Sequence, residues 1–441
     1  MNDFNLSWTK YAPLENEASI TDPLAFDYFA QVLGNVVLPS FTTRTSRARY
    51  YSMVCYGIYI SKKYLMINNK PFYEKDILET FKIYEKLWAR AVVANYDGKL
   101  TERDGKEREL RGKRGALKAH EDGSTTLGND FKFLTRQLEL GGLGAYKTSM
   151  EALELIDSLL NLTHKGEKLA KAFVDTATYD RLVLKAINQQ RIVEREGRVS
   201  LKSLGYHTGL DGFTFTDGFH APERELLREY LMDSPKNNIS VNYILSCYDT
   251  ENNNVLQTIE NIVNSTASTE RGQRIIEGFK TILAFENLAI LFNRLWCAII
   301  KAAEEQFGTI SVPECVLNCK EQLRDIFETN VIKELITKSN YSAIIESYHG
   351  SGFQYLLSNC LKNQGVDYGA FIIDLVKNHN RVMEKRSGGA WIAIDGINLI
   401  VMNGYDYPKK TENLPYLHSY KIPNIMTLIK DTGWQLNGEI Y

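Results

Sequence analysis

The chain has 441 residues, 44% of them hydrophobic and 24% charged, with a formal net charge of −2. That balance describes a globular protein long enough for several cores. It excludes a chain that is basic throughout, so any contact with a polyanion must rest on local patches.

In chain order, "DPLAFDYFAQVLGNVV" predicts a first helix, capped by Asp22 with Pro23 at its first position. "LPSFTTRTSR" breaks it. A second helix is expected from near Thr45 through "RARYYSMVCYGIYISKKYLM", and a third over "EKDILETFKIYEKLWARAVVANY". These three read as one N-terminal helical unit, residues 1–97. Residues 98–127 are charged and glycine-rich, a linker or loop with a short helix around Arg108 to Ala119. The span 128–202 follows as a separate module, then a helical domain over 203–380. Residues 381–441 end the chain with two strands around Asp395-Gly396 and a last helix, "IPNIMTLIKDTG", stopped by Gly433. The fold class expected is mainly α and multi-domain. The most apolar run, "ILAFENLAILFNRLWCAII", is interrupted by Glu286 and Arg294, which favours a buried helix over a membrane span. No apolar signal segment opens the chain, and six scattered cysteines suit reduced thiols, so a cytoplasmic protein is expected.

Within 128–175, "NDFKFLTRQLEL" can supply a scaffold helix and Gly141, Gly142 and Gly144 a tight corner. "AYKTSMEALELI" follows as a second helix with Tyr146, Met150 and Leu153 on one stripe. "LIDSLLNLTHKG" is short and rich in turn residues, as a wing would be, and Thr163 caps "HKGEKLAKAF". This order resembles bacterial winged-helix domains, with helical hairpins that lack a wing as the alternative. The helix that would enter a groove carries Lys147, Glu151 and Glu154, and the two carboxylates speak against base reading. Lys165, Lys168 and Lys171, at helical spacing on the flank, are candidates for phosphate contact, with a solvated helix face as the alternative.

From Tyr28 to Tyr73 there is no Asp or Glu, while Arg44, Arg47, Arg49, Lys62, Lys63 and Lys70 interleave with ten aromatic residues. In "TTRTSRARYYS" the hydroxyls of Thr42, Thr43, Thr45 and Ser46 and the forked donors of the arginines have the chemistry of phosphate capture. Arg44, Arg47, Arg49, Lys62 and Lys63 are the candidates here. The alternative is that the arginines pair with acids and the tyrosines fill a core. Residues 98–202 add twenty Lys/Arg against sixteen Asp/Glu, so basic character collects in the first half and the rest of the chain is acidic.

No catalytic signature is complete. "GYHTGLDGFTFTDGFH" gathers His207, Asp211, Asp217 and His220, which could serve a divalent metal or acid–base chemistry, or simply shape a loop. Cys315 and Cys319 stand one helical turn apart with no adjacent ligands, as buried thiols would. There is no phosphate loop, no GxSxG and no dinucleotide fingerprint. Neither a metal nor a cofactor is expected.

The arginine-rich "FTTRTSRARYYS", the winged-helix-like middle and the terminal hairpin and helix together resemble bacterial proteins encoded in phage-defence loci. The resemblance implies an accessory subunit that works with a partner ATPase, helicase or nuclease. The expectation is a non-catalytic subunit touching nucleic acid through backbone contacts, with one or more protein partners and no membrane. The alternatives are a metal-dependent nuclease using the His207–His220 loop and a protein scaffold with no nucleic-acid role.

Overall fold

The computed structural model describes residues 22–100, 109–210, 220–363, 367–386, 388–402 and 418–435. Among these there are twenty α-helices and five short strands, so the protein is mainly α. The chain divides into two compact units, each built from two pieces: Met1–Val37 with Tyr248–Tyr420, and Leu38–Cys247 with Lys421–Tyr441. The expected grouping of the first three helices therefore does not hold. Local periodicity finds helices, but which of them share a core is set by long-range packing.

In the first unit, α1 (Phe26–Val37) buries Phe26, Phe29, Ala30, Leu33 and Val37. It starts three residues later than the Pro23 expectation. Asp22 still caps it, its carboxylate accepting from the Phe26 amide at 2.6 Å. Arg386 holds that carboxylate in place at 3.1 Å. The Pro23 carbonyl instead accepts from His379 Nδ1 at 2.8 Å, and His379 Nε2 accepts from the Trp391 amide at 2.9 Å. Both ring nitrogens are used by a neutral imidazole, and burial pushes its pKa down to about 4.

The centre of this unit is the 35-residue helix Glu270–Glu304. By length and composition it could cross a membrane, yet 67% of its most apolar window is buried inside the protein. Glu286 is part of the reason: it is buried and accepts from His418 Nδ1 at 2.5 Å and from the Tyr420 hydroxyl. The expected hairpin is present. Ile392–Asp395 pairs antiparallel with Asn398–Val401 across a turn in which Gly396 has φ +58°. A third strand, Thr309–Ser311, joins it and was not legible, being three residues long.

In the second unit, α2 (Arg49–Ile67) is buried along most of its length and packs against α3 (Glu74–Asn95). The close approach falls at Gly57, where a Cβ would lie 2.5 Å from the Phe81 ring. α4 (Lys113–Glu121), α5 (Gln137–Leu140), α6 (Gly142–Ala152), α7 (His164–Phe173) and α8 (Thr176–Gln189) follow, then α9 (Leu201–Thr208), which crosses α3 at Gly205. α10 (Ala221–Leu227) runs on into a π-helical turn, Arg228–Met232. The last helix, Ile422–Thr432, belongs to this unit. Arg224 and Arg228 take its terminal carbonyl at Thr432, at 2.7 and 2.6 Å, and Gly433 closes it with φ +58°. The expected hairpin-plus-helix ending is thus split between the two units.

Candidate nucleic-acid interface

Two of the expected phosphate contacts are structural. Arg49 is completely buried. Its Nη2 pairs with Glu223 Oε2 at 2.7 Å, its Nη1 donates to the Gly209 carbonyl at 2.6 Å, and its Nη2 to the His207 carbonyl at 2.8 Å. Arg47 is buried against Asp431 at 2.9 Å. Phosphate reaches neither side chain, because folding has already given each a buried carboxylate. The threonine hydroxyls are used within their own loop: Thr45 Oγ1 donates to the Thr42 carbonyl and accepts from the Thr42 amide, and Thr42 Oγ1 accepts from the Arg44 amide. Tyr50, Tyr51 and Tyr56 fill the core.

The other candidates lie nearer the surface. Lys63 pairs with Asp180 at 2.5 Å, Lys62 donates to Asn161 at 2.6 Å, and Lys165 meets Glu154 at 3.3 Å. Lys168 and Lys171 are exposed on α7 and Arg44 is half-buried. Thr163 caps α7 as expected, its side chain accepting from the Gly166 amide. The expected scaffold helix is a single turn, Gln137–Leu140, and the expected wing is one bridge, Ile156 to Leu162.

A basic cleft of about 960 Å³ lies elsewhere in the same unit. Glu79, Lys82, Ile83 and Lys86 form one wall, at the spacing that places them on one face of α3. The other wall is the segment Gly128–Glu139, which contributes Phe131, Lys132 and Arg136, and Arg114 with Gly115 stands in the first turn of α4. α4 can lie this close only because residue 115 is glycine: a Cβ there would meet the Phe133 carbonyl at 2.6 Å. The lining carries five cations, Lys82, Lys86, Arg114, Lys132 and Arg136, against the two carboxylates Glu79 and Glu139. Lys82 pairs with Glu79 at 2.7 Å and Arg136 with Glu139 at 3.2 Å. Arg114 and Lys132 are exposed.

One cation of this wall, Lys86, is deep, and a second, Arg90, stands behind it. Lys86 is 7% exposed; its ammonium donates to the Gly128 carbonyl at 2.7 Å and lies 5.6 Å from the Phe131 ring centroid. Burial, aided by Lys82, lowers its pKa. One turn on, Arg90 is 4% exposed, 6.0 Å from the same ring, and its Nε and Nη1 have no hydrogen-bond partner among the described residues. Asp130 lies near enough to act on Lys86 and Glu194 on Arg90, whereas Glu85 is engaged elsewhere. Glu85 is buried, accepts from Gln137 Nε2 at 2.8 Å and from the Gly142 amide, and burial raises its pKa.

Comparison with family models, curated proteins and solved structures returned no match. The cleft residues escaped the sequence reading because they come from four separated segments. The one signal was the local excess of positive charge over residues 98–202, which contains Arg114, Lys132 and Arg136.

The His207–His220 loop is only partly described, since Asp211 and Asp217 lie outside the described residues. The two imidazoles stand 6.1 Å apart between centroids. His220 is buried, with Nδ1 3.5 Å from Glu223 and 3.4 Å from Arg49 Nη2. A guanidinium at that distance opposes a metal ion on the same nitrogen. Among the described residues no group of three or more His, Cys, Asp or Glu side chains is placed to hold a metal. Cys315 and Cys319 are fully buried free thiols.

Proposed function

We propose that the protein is a non-catalytic, nucleic-acid-contacting subunit of a bacterial complex, cytoplasmic and acting in anti-phage defence beside an ATPase, helicase or nuclease partner. The observation that carries this reading is the cleft: five cations, the buried Lys86 among them, face two carboxylates, with Arg90 adding positive charge from behind. Such a surface attracts phosphate through charge and forked donors without reading bases. Among the described residues its lining offers no cysteine, histidine or aspartate and only Thr135 as a hydroxyl, a set suited to holding a backbone and poorly suited to cleaving one. Support for a winged-helix-like module is limited to α6, the Ile156–Leu162 bridge and the capped α7.

The test is fluorescence anisotropy with labelled single- and double-stranded DNA and RNA across a salt series. Wild-type binding is expected to fall steeply with salt. Arg114→Glu with Lys132→Glu changes two exposed side chains, so the fold is retained. This variant should bind at least tenfold more weakly, with the log–log salt slope reduced by about 2. Wild-type protein that fails to bind at low salt, or a folded variant that binds as wild type does, would reject the reading.

A further inference from the structure

A second cavity, of about 330 Å³, lies in the first unit at the start of the 14-residue helix Gly350–Asn363. It is lined by His349, Ser351 and Gly352 from that helix start and by Asn378, Arg381 and Lys385 from the helix Tyr368–Lys385. Three features converge on it. The first is the helix N-terminus. The Gly350 amide is taken by the Ser347 carbonyl at 2.9 Å, and the backbone then turns into the helix along the cavity wall at Ser351 and Gly352, where the dipole favours negative charge. The second is a pair of cations. Arg381 lies 5.0 Å from the ring centroid of Tyr355, another lining residue, and Lys385 lies 4.6 Å from that of Tyr348 while donating to the Tyr348 carbonyl.

The third feature points to a ligand by itself. His349 is 5% exposed, lines the cavity, and its Nδ1 has no hydrogen-bond partner among the described residues. A buried polar nitrogen left unmatched costs roughly 1–3 kcal/mol, so a partner is wanted there. Burial, with Arg386 and Lys385 nearby, holds this imidazole neutral with a pKa of about 4. Neutral imidazole donates one hydrogen bond from Nδ1 in the matching tautomer. Gly352 lets the two helices approach closely at the cavity, since a Cβ there would come within 2.9 Å of Asn378 Oδ1. One carboxylate, Glu384, also reaches the lining; it is exposed and lies at the rim.

We propose that this cavity binds the phosphate group of a small phosphorylated molecule, held by the helix N-terminus, His349 Nδ1, Arg381 and Lys385. The volume accommodates a sugar-sized body beside the phosphate, with Tyr355, half exposed, offering a ring to it. The proposal is independent of the basic cleft, which belongs to the other unit.

Isothermal titration of the full chain with ribose 5-phosphate, ribose and inorganic phosphate tests it. Ribose 5-phosphate should bind and ribose should not. Tighter binding of ribose 5-phosphate than of inorganic phosphate assigns the site to a phosphorylated metabolite; equal affinities assign it to free phosphate. Arg381→Gln and Lys385→Gln alter exposed side chains and should each weaken binding at least fivefold with an unchanged circular dichroism spectrum. The proposal is overturned if wild-type protein shows no saturable binding at millimolar ribose 5-phosphate. It is equally overturned if both folded variants bind within twofold of wild type.

Discussion

Arg49 and Glu223 form an ion pair at 2.7 Å in which neither side chain has any exposure. Burial alone would push the Glu223 carboxyl up; the Arg49 charge and hydrogen bonds from His220 and Arg49 overcome this and hold it below the ordinary range. The pair joins the start of α2 to α10, which are 174 residues apart in sequence.

Removing the guanidinium leaves a buried carboxylate with its main partner gone. Arg49→Ala is therefore expected to cost about 3–5 kcal/mol, measured by urea denaturation. Charge reversal of Arg44, Arg47 and Arg49 together should unfold the second unit, and loss of nucleic-acid binding in that variant would report unfolding. Arg44→Glu alone should leave the melting temperature within a few degrees of wild type. A folded, soluble Arg49→Glu protein would contradict this assignment. Because the Glu223 pKa is depressed, its contribution is present above the unfolded carboxylate value and is lost as pH falls through the lower folded value.

Helix positions, the cap at Thr163, the Asp395-Gly396 hairpin and the stop at Gly433 were legible because each is decided within a few residues. The partners of Arg47 and Arg49 were not. In "TTRTSRARYYS" an acid-free, arginine-rich stretch has the same composition whether its charges face water or buried acids. Only the arrival of Asp431 and Glu223 from far along the chain decides the matter. The cleft was invisible for the same reason: Lys86 lies in a helix, Arg114 in a charged loop region and Lys132 in a supposed scaffold helix, and no spacing rule joins them.

Gly205 sits where α9 crosses α3, and a Cβ would lie 1.9 Å from the Ala91 carbonyl. Intrinsic propensity favours alanine over glycine in a helix by about 1 kcal/mol. The steric conflict with backbone should outweigh that gain, so Gly205→Ala is expected to destabilise by about 1–3 kcal/mol net. Gly197, with φ +59° and open space around it, is the control for backbone strain without crowding. If Gly205→Ala proves more stable than wild type in thermal melts, the close crossing is wrong.

His418 bridges two carboxylates, Nδ1 to Glu286 at 2.5 Å and Nε2 to Asp27 at 2.7 Å, with Tyr420 also donating to Glu286. Burial opposes the charged imidazole, but the hydrogen bonds and charges of Asp27 and Glu286 prevail and raise its pKa to about 9. The folded value lies above the unfolded one, so the stabilisation is fully present below about pH 6.5 and is lost as pH rises through 9. Its size is on the order of 3 kcal/mol. Lys421 titrates in the same window with the opposite sign, because burial lowers its pKa to about 7 and stability then rises with pH. The discriminating measurement is the stability difference between wild type and His418→Gln from pH 6 to pH 10. That difference should shrink as pH rises; a difference independent of pH would mean that His418 is neutral in the folded protein.

Glu151 and Glu154 lie on the module whose α7 carries Lys168 and Lys171. Lys147 approaches Glu151 at 4.0 Å, and Glu154 is held by Lys165 at 3.3 Å and Lys236 at 3.2 Å, whose hydrogen bonds and charge lower its pKa. Replacing both carboxylates with Gln removes two negative charges and releases these lysines. If this face met phosphate, nucleic-acid affinity would rise sharply at low salt, since each added cation contact strengthens the salt-dependent term. With the cleft around Lys86 as the phosphate-binding surface, the Glu151→Gln, Glu154→Gln variant should keep its nucleic-acid affinity within about twofold at fixed salt, because exposed charge changes outside the contact area are screened over roughly 8–10 Å. Co-purification with native partners should weaken instead, because a basic partner docked here would lose both carboxylates. Measured side by side on one preparation, a large gain in DNA or RNA affinity with partner assembly intact would transfer the nucleic-acid contact from the cleft to this module.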